Sequence, residues 1–198
     1  NVLAHVPAIN DFVEGLKIVL KADGVITMEF PHLLQLIENV LFDTIYHEHF
    51  SYFSFFVVKK IFETHGLELY DVEEIPTQGG SLRIYAKNKE DETKCISSNV
   101  NKLLEKEFSK GLNKIEYYES FQLKANTIKY NLLKFLVEQK LNRKSIAAYG
   151  AAAKGNTLLN YCGIKKDLIE FAVDKSPYKQ GKFLPANHIP VVKEEEIK

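Results

Sequence analysis

Four consecutive residues place three kinds of proton-transfer group in one short segment. Tyr46, His47, Glu48 and His49 supply a phenol, two imidazoles and a carboxylate. Histidine titrates closest to neutral pH, and a neighbouring carboxylate can orient its ring and raise its basicity. The segment therefore fits general acid–base chemistry. From the residues alone, two alternatives stay open: a solvated or structural histidine loop, and a metal site in which His47 and His49 share an ion with a third ligand.

A second candidate site is the small-residue loop of residues 150–156, which reads Gly-Ala-Ala-Ala-Lys-Gly-Asn. Glycines let backbone amides approach a phosphate, a helix N-terminus adds partial positive charge, and Lys154 adds a full one. The loop has neither the Walker pattern nor the G-x-G-x-x-G of dinucleotide folds, so tight strand-to-helix packing explains it equally well. Residues 174–182, which contain three lysines, are either an anion-binding loop or a solvated basic loop.

The first half of the chain predicts the elements that position the histidine segment. Apolar residues with a helical period indicate a helix over residues 10–21, and residues 25–30 form an apolar run of strand length. Because this strand follows a helix after a short turn, we expect it to be a buried parallel strand of a βαβ unit.

The elements that follow the histidine segment are predicted from caps and turns. Ser54 can cap a helix over residues 55–65, with Gly66 as its stop. Residues 67–75 and 81–87 are two strands joined by a turn without an intervening helix. This arrangement predicts an antiparallel hairpin at the edge of the sheet.

The second half of the chain begins with a helical segment and continues with alternating strands and helices. Residues 97–141 are rich in helix formers, which predicts a helical arm. A strand over residues 146–149, a helix over 156–162 and a second parallel strand over 169–174 follow. This order places the small-residue loop at the carboxyl end of a strand, where open α/β sheets bind ligands.

Composition narrows the class of protein. The 198 residues contain 26 Lys plus Arg and 26 Asp plus Glu, and this balance argues against a nucleic-acid binder. A chain of this length can bury a hydrophobic core large enough to fold without a disulfide or a structural metal ion. Its two cysteines, Cys95 and Cys162, fit a reducing cytoplasm. No segment suggests a membrane span or signal peptide. We therefore expect a cytoplasmic protein with no membrane partner, cut from a longer chain at both ends.

Five segments of the chain have distinctive sequences. The first three contain Glu-Phe-Pro-His-Leu-Leu, Tyr-His-Glu-His-Phe-Ser-Tyr-Phe-Ser and Gln-Gly-Gly-Ser-Leu-Arg, and the other two include the small-residue loop and the lysine-rich loop. The segments are residues 29–34, 42–54, 78–83, 150–161 and 173–190. Together they resemble one enzyme family, the S-adenosylmethionine-dependent C-methyltransferases that act on nucleotide-linked 4-keto-deoxysugars. The histidine segment is the longest and most specific match.

The resemblance implies an α/β fold with three parts. Residues 1–90 would be the second half of a class I methyltransferase domain with a Rossmann-like sheet. Residues 91–143 would be a helical arm, and residues 144–198 a second, truncated Rossmann-like domain that binds the nucleotide sugar. Most of the S-adenosylmethionine site would lie on upstream residues, and zinc only in an upstream domain. The fragment alone is expected to be inactive, and no oligomeric state is implied.

The resemblance also implies a mechanism. His49 would remove the proton at sugar C3, alpha to the C4 ketone, and the enolate would attack the methyl of S-adenosylmethionine. Glu48 would orient His49 or hold a sugar hydroxyl, Tyr46 would donate to the enolate oxygen, and His47 would face inward as structure. The alternative is a relative that binds a nucleotide sugar without methylating it.

Two groups of binding residues complete the expected site, and no metal ligand is assigned. S-adenosylmethionine would retain a few contacts with Asn1, Val2 and His5. The diphosphate of the substrate would be held first by Lys154 with the amides of Gly155 and Asn156, and second by two further lysines. The full set of substrate-binding residues is Gly150, Lys154, Gly155, Asn156, Lys179 and Lys182.

Overall fold

The computed structural model describes residues 2–197, which divide into two compact units. The first unit contains residues 2–41 and 47–121, and the second contains residues 42–46 and 122–197. Each unit has its own three-stranded sheet, so the predicted α/β fold class is confirmed. The three-part division of the chain into methyltransferase, arm and nucleotide-sugar parts stays a prediction. No helix among residues 2–197 is both long and apolar enough to cross a membrane.

The sheet of the first unit is antiparallel throughout. Its strands are β1 (Ile26–Pro31), β2 (Leu67–Ile75) and β3 (Ser81–Asn88), in the order β1-β3-β2. The predicted hairpin of β2 and β3 is confirmed, since Ile75 pairs with Ser81 next to the turn. The prediction that β1 is a parallel strand is wrong for the described residues, because β1 pairs there only with β3, in antiparallel register.

Five helices accompany this sheet among the described residues of the first unit. They are α1 (Ile9–Val19), α2 (Leu33–Glu38), α3 (Phe55–Thr64), α4 (Ser98–Lys110) and α5 (Glu116–Glu119). The core combines strand residues with aromatic residues of α3 and apolar residues of α1 and α4. Its fully buried members include Val13, Phe30, Phe55, Phe62, Leu82 and Ile84.

The start of α3 is fixed by two side chains, one local and one distant. The hydroxyl of Ser54 accepts a hydrogen bond from the amide of Val57 at 3.3 Å, as predicted for a cap. The carboxylate of Glu107, on α4, accepts from the amides of Phe55 at 2.6 Å and Phe56 at 2.9 Å. An ionised carboxylate at a helix N-terminus satisfies free amides and interacts favourably with the helix dipole.

Glu107 also binds a buried histidine at the end of β1. Nε2 of His32 lies 2.8 Å from Oε1 of Glu107, and both side chains are almost fully buried. The amide of His32 donates to the carbonyl of Gly80, which joins this corner to the β2–β3 turn. The pair therefore ties α3, α4 and the end of the sheet together.

The second unit is built on a parallel sheet. Its strands β4 (Ala147–Tyr149), β5 (Phe171–Val173) and β6 (Val191–Val192) lie in chain order and are all parallel. Helix α7 (Ala153–Cys162) connects β4 to β5 and ends at Gly163, which has a left-handed φ of 74°. This arrangement confirms the predicted strand, loop, helix and strand. The long helix α6 (Phe121–Leu141) contributes Leu136 to the core, with Leu132 and Leu133 packed against it.

Candidate active site

The loop of residues 47–50 is held against the N-terminal segment of the first unit. The amide of Phe50 donates to the carbonyl oxygen of Ala4 at 2.8 Å, and Nδ1 of His5 lies 2.9 Å from the carbonyl oxygen of Glu48. Because a carbonyl oxygen only accepts, Nδ1 of His5 is the protonated nitrogen in this contact. In the neutral ring, Nε2 of His5 then carries the free lone pair.

The ring of His49 is held between two aromatic neighbours. Its centroid lies 4.9 Å from that of His5 and 5.8 Å from that of Tyr52, and both contacts are edge-to-face. The side chain is half-buried. The ring is therefore positioned by its neighbours and still accessible to a bound molecule.

The two residues that precede His49 face solvent. Glu48 is exposed, so its carboxylate is accessible from solvent. His47 is exposed as well, and the prediction that it faces inward is therefore wrong. The buried structural histidine of this unit is His32, which reaches the interior from the end of β1 and is held there by Glu107.

Tyr46 belongs to the second unit, together with the short 3₁₀ turn Phe42–Thr44 that precedes it. Within that unit the turn lies against α7, and the ring of Phe42 lies 4.7 Å from that of Tyr161. Tyr46 itself is half-buried and lies two residues after this turn.

Of the three residues expected to contact S-adenosylmethionine, two lie in the described part of the chain. Asn1 lies outside the described residues. Val2 is 56% exposed and lines a cavity of about 300 Å³ on the open face of the sheet, and its carbonyl oxygen accepts from the amide of His5. His5 thus lies next to Val2, which lines the cavity, and next to His49.

Sequence reasoning assigned no role to the charged pair that lines this cavity. Glu29 on β1 and Arg83 on β3 are cross-strand neighbours, with Oε2 and a guanidinium nitrogen 3.2 Å apart. The hydroxyl of Thr77 donates to Glu29, and this hydrogen bond, followed by the contact with Arg83, lowers the pKa of Glu29. Both residues fall inside the segments that resemble the family, and this coincidence is the signal that could have identified them.

The small-residue loop of the second unit leaves amides available at the start of α7. Its N-cap residue, Ala152, has no side-chain acceptor, so the amides of residues 153–155 lack an intrahelical partner. Lys154 lies in this turn and is half-buried, whereas Gly150 precedes it with a left-handed φ of 95°. The prediction that the amide of Asn156 faces the anion is wrong, because it donates to the carbonyl of Ala152 at 3.0 Å.

An aspartate at the end of β5 binds the neighbouring loops. The carboxylate of Asp174 accepts from the amides of Ala151 and Ser176, both at 2.8 Å, and from Nζ of Lys179 at 3.1 Å. The two backbone amides, and then Lys179, lower the pKa of Asp174 to about 2. Lys179 therefore already has an anionic partner in its own loop, whereas Lys182 is exposed.

The metal alternative receives no support from the arrangement of potential ligands. Among residues 2–197, no three His, Cys, Asp or Glu side chains are grouped so that they could hold a metal ion.

Two comparisons with known proteins identify the family of the chain. The family described as the C-methyltransferase C-terminal domain matches residues 76–198, which is more than half of the chain. The chain thus belongs to the C-methyltransferase family. It is also similar to C-methyltransferase NovU of Streptomyces niveus, with 35% identity over 188 residues. That match covers 95% of this chain and 44% of the relative, so the chain spans less than half the length of the relative.

Proposed function

We propose that the protein containing this chain is an S-adenosylmethionine-dependent C-methyltransferase that acts on a nucleotide-linked 4-keto-deoxysugar. The observation that carries the proposal is the position of His49, whose ring lies 4.9 Å from that of His5 in a loop fixed by backbone contacts. Family membership supplies the reaction class, and the histidine segment supplies its acid–base groups.

His49 is the general base of the proposed reaction. It takes the proton from sugar C3, which is acidic because the resulting carbanion is conjugated with the C4 ketone. Edge contacts with His5 and Tyr52 restrict its ring, so the imidazole is oriented before substrate binds. Restricting the ring in advance lowers the entropic cost of reaching the reactive geometry.

The remaining two groups act on the oxygens of the sugar. Tyr46 donates a hydrogen bond to the C4 oxygen, where negative charge develops as the enolate forms. Glu48 is exposed and accepts from a sugar hydroxyl, or orients His49. These roles follow from the family resemblance and from the chemistry of each group.

The residues of this chain fit one wall of a methyl-donor site. Val2 lines the cavity beside Glu29 and Arg83, and His5 joins that wall to His49. S-adenosylmethionine, when bound, supplies an electrophilic methyl group. Val2 and His5 are the residues of the described chain that would contact it.

The second unit is proposed to hold the diphosphate of the nucleotide. The free amides of residues 153–155 and the charge of Lys154 form the anion site at the start of α7. Lys182 is exposed, and its charge is assigned to the same anion; Gly150 permits the turn out of β4. Lys179 acts indirectly, by neutralising Asp174 in the adjoining loop.

Replacing His49 by Asn in the full-length protein tests the proposed base. Methyl transfer to a dTDP-4-keto sugar should fall about 10²–10⁴-fold, which is the usual contribution of a general base. The matched control is His47→Asn, which removes an exposed imidazole two residues away and should leave the rate unchanged. Wild-type rates in His49→Asn would refute the assignment.

The second candidate function is a binding module that holds a nucleotide sugar without methylating it. The free amides at α7 favour this alternative for the 198-residue chain, because they need no methyl-donor site. Calorimetry with dTDP and with S-adenosylhomocysteine separates the two functions. We expect the chain to bind dTDP and to bind S-adenosylhomocysteine weakly or not at all. Tight binding of S-adenosylhomocysteine would contradict the proposed location of the cofactor site.

A further inference from the structure

Residues 42–46 pack into the second unit, although their sequence neighbours on both sides belong to the first. Two buried side chains hold this segment, since Phe42 is 7% exposed and Thr44 is 4% exposed. The amide of Ile45 donates to the carbonyl oxygen of Phe42 at 3.0 Å and closes the turn. Tyr46 is the next residue, so the anchoring of the turn restricts where Tyr46 lies.

One side chain of α7 anchors the turn through an aromatic contact. The ring centroids of Phe42 and Tyr161 lie 4.7 Å apart, with the two planes inclined by 51°. Aromatic pairs at this separation attract each other beyond the burial of their surface. Because Tyr161 lies within α7, one residue before its end, the turn is attached to a regular helix of the second unit.

The ring of Tyr161 is fixed in turn by three side chains of α6. Its hydroxyl donates to Oδ1 of Asn126 at 2.7 Å and accepts from Nε2 of Gln122 at 2.6 Å. Gln122 also donates to Asn126 at 3.1 Å, and Nζ of Lys129 lies 5.5 Å from the centroid of the ring. These contacts satisfy the single donor of the phenol and place a cation over its face. The orientation of Tyr161 is therefore set by hydrogen bonds as well as by packing.

We propose that Tyr161 is a positioning residue, which holds Tyr46 in place through Phe42 and so aligns its phenol with the C4 oxygen of the sugar. The proposal rests on the proposed function, in which Tyr46 stabilises the enolate. A donor of this kind acts within about 2.7–3.1 Å of the oxygen on which charge develops. A displacement of about 1 Å, caused far from the chemistry, can cost about 10²-fold in rate. The anchor at Tyr161 therefore affects the rate of the reaction and not only the stability of the unit.

Kinetics of the full-length protein with the dTDP-4-keto sugar test the proposal. Tyr161→Ala removes the ring from Phe42 and should lower kcat about 10–10²-fold, with little change in the KM of the sugar. Tyr161→Phe keeps the ring and should recover most of the rate.

Leu159→Ala is the matched control for a loss of stability. It removes a buried core side chain of the same helix and leaves the ring contact with Phe42 in place. The kcat of this variant should stay close to that of wild type, and thermal unfolding shows that both Ala variants are folded at the assay temperature. Equal losses of kcat in Tyr161→Ala and Leu159→Ala would overturn the proposal.

A double-mutant cycle shows whether Tyr161 acts through Tyr46. Tyr46→Phe alone should lower kcat about 10²–10³-fold, which is the usual loss for one oxyanion donor. Adding Tyr161→Ala should then lower the rate little further, because the hydroxyl that it positions is already absent. Losses that multiply in the double variant would show that Tyr161 does not act through Tyr46 and would overturn the proposal.

Hydrogen exchange in the full-length protein separates this proposal from the proposed function. Tyr161→Ala should speed exchange at the amide of Ile45, which donates within the turn, and Tyr161→Phe should not. Unchanged exchange at Ile45 in Tyr161→Ala would overturn the proposal even where methyl transfer is confirmed. Faster exchange at Ile45 in a protein that transfers no methyl group would refute the proposed function, and with it the catalytic effect assigned to Tyr161.

Discussion

Nδ1 of His5 donates to the backbone carbonyl of Glu48 across a distance of 2.9 Å, although 43 residues separate the two in sequence. This bond joins the N-terminal segment to the histidine loop and orients the His5 ring against His49. His5, an expected cofactor contact, and His49, the expected base, are therefore neighbours in the structure.

Replacing His5 by Ala should loosen this loop. The bond is exposed, so we expect a loss of about 0.5–1.5 kcal/mol in its local stability. Hydrogen exchange should become faster at the amide of Phe50, which donates to Ala4, with little change at the core amides of β3. His65→Ala removes a comparable exposed contact, to Asn10, and should leave the Phe50 amide protected. Unchanged exchange at Phe50 in the His5 variant would contradict the account.

Replacing Glu107 by Ala should destabilise the first unit strongly. The substitution leaves His32 without its buried partner and removes the acceptor for the amides of Phe55 and Phe56. Breaking a buried pair typically costs about 3–5 kcal/mol. Urea denaturation measures the loss. Glu105→Ala, on the exposed side of α4, should change stability by less than about 0.5 kcal/mol. Equal effects of the two substitutions would show that the buried pair contributes nothing.

Replacing each of two glycines by Ala should change the free energy of unfolding in opposite directions. Gly80 has a φ of 122°, and an added Cβ would lie 2.6 Å from Cγ of Gln35, so Gly80→Ala should cost roughly 1–3 kcal/mol. Gly15 lies within α1 with open space around it, so Gly15→Ala should stabilise by roughly 0.5–1 kcal/mol. Thermal unfolding of the two variants measures both predicted changes in stability. A stabilising Gly80→Ala would mean that the turn does not adopt this conformation.

Replacing Asp174 by Asn should destabilise the second unit in a pH-dependent way. The pKa of Asp174 is about 2 in the folded chain and about 3.9 when unfolded, so folding favours its ionised form. This contribution is fully present above about pH 4 and is lost as the pH falls towards 2. The difference in unfolding free energy between wild type and variant should therefore shrink over that range in urea titrations. A difference that grows towards pH 2 would have the wrong sign.

Local signals in the sequence predicted much of the fold. Ser54, Gly66 and Gly163 mark helix ends through their own caps, and the β2–β3 hairpin follows from two strands joined by a short turn. These features depend on neighbouring residues, so periodicity and cap chemistry suffice to find them.

Contacts between distant residues were not predicted. Glu107 lies 75 residues from His32, and nothing in its own helix distinguishes it from an exposed glutamate. The pairing of β1 failed for a similar reason, because a preceding helix does not specify which strand lies alongside. His47 is exposed and His32 is the buried histidine, because burial depends on packing against distant elements such as α4, which the local pattern does not record.

The central claim, that His49 removes the proton at C3, is tested most directly by isotope exchange. The full-length protein is incubated in D₂O with the dTDP-4-keto sugar and with S-adenosylhomocysteine in place of the methyl donor, and deuterium at C3 is followed by NMR. We predict exchange by wild type and by His47→Asn, and a decrease of about 10²–10⁴-fold in His49→Asn with substrate binding retained. Exchange at the wild-type rate in His49→Asn would contradict the account.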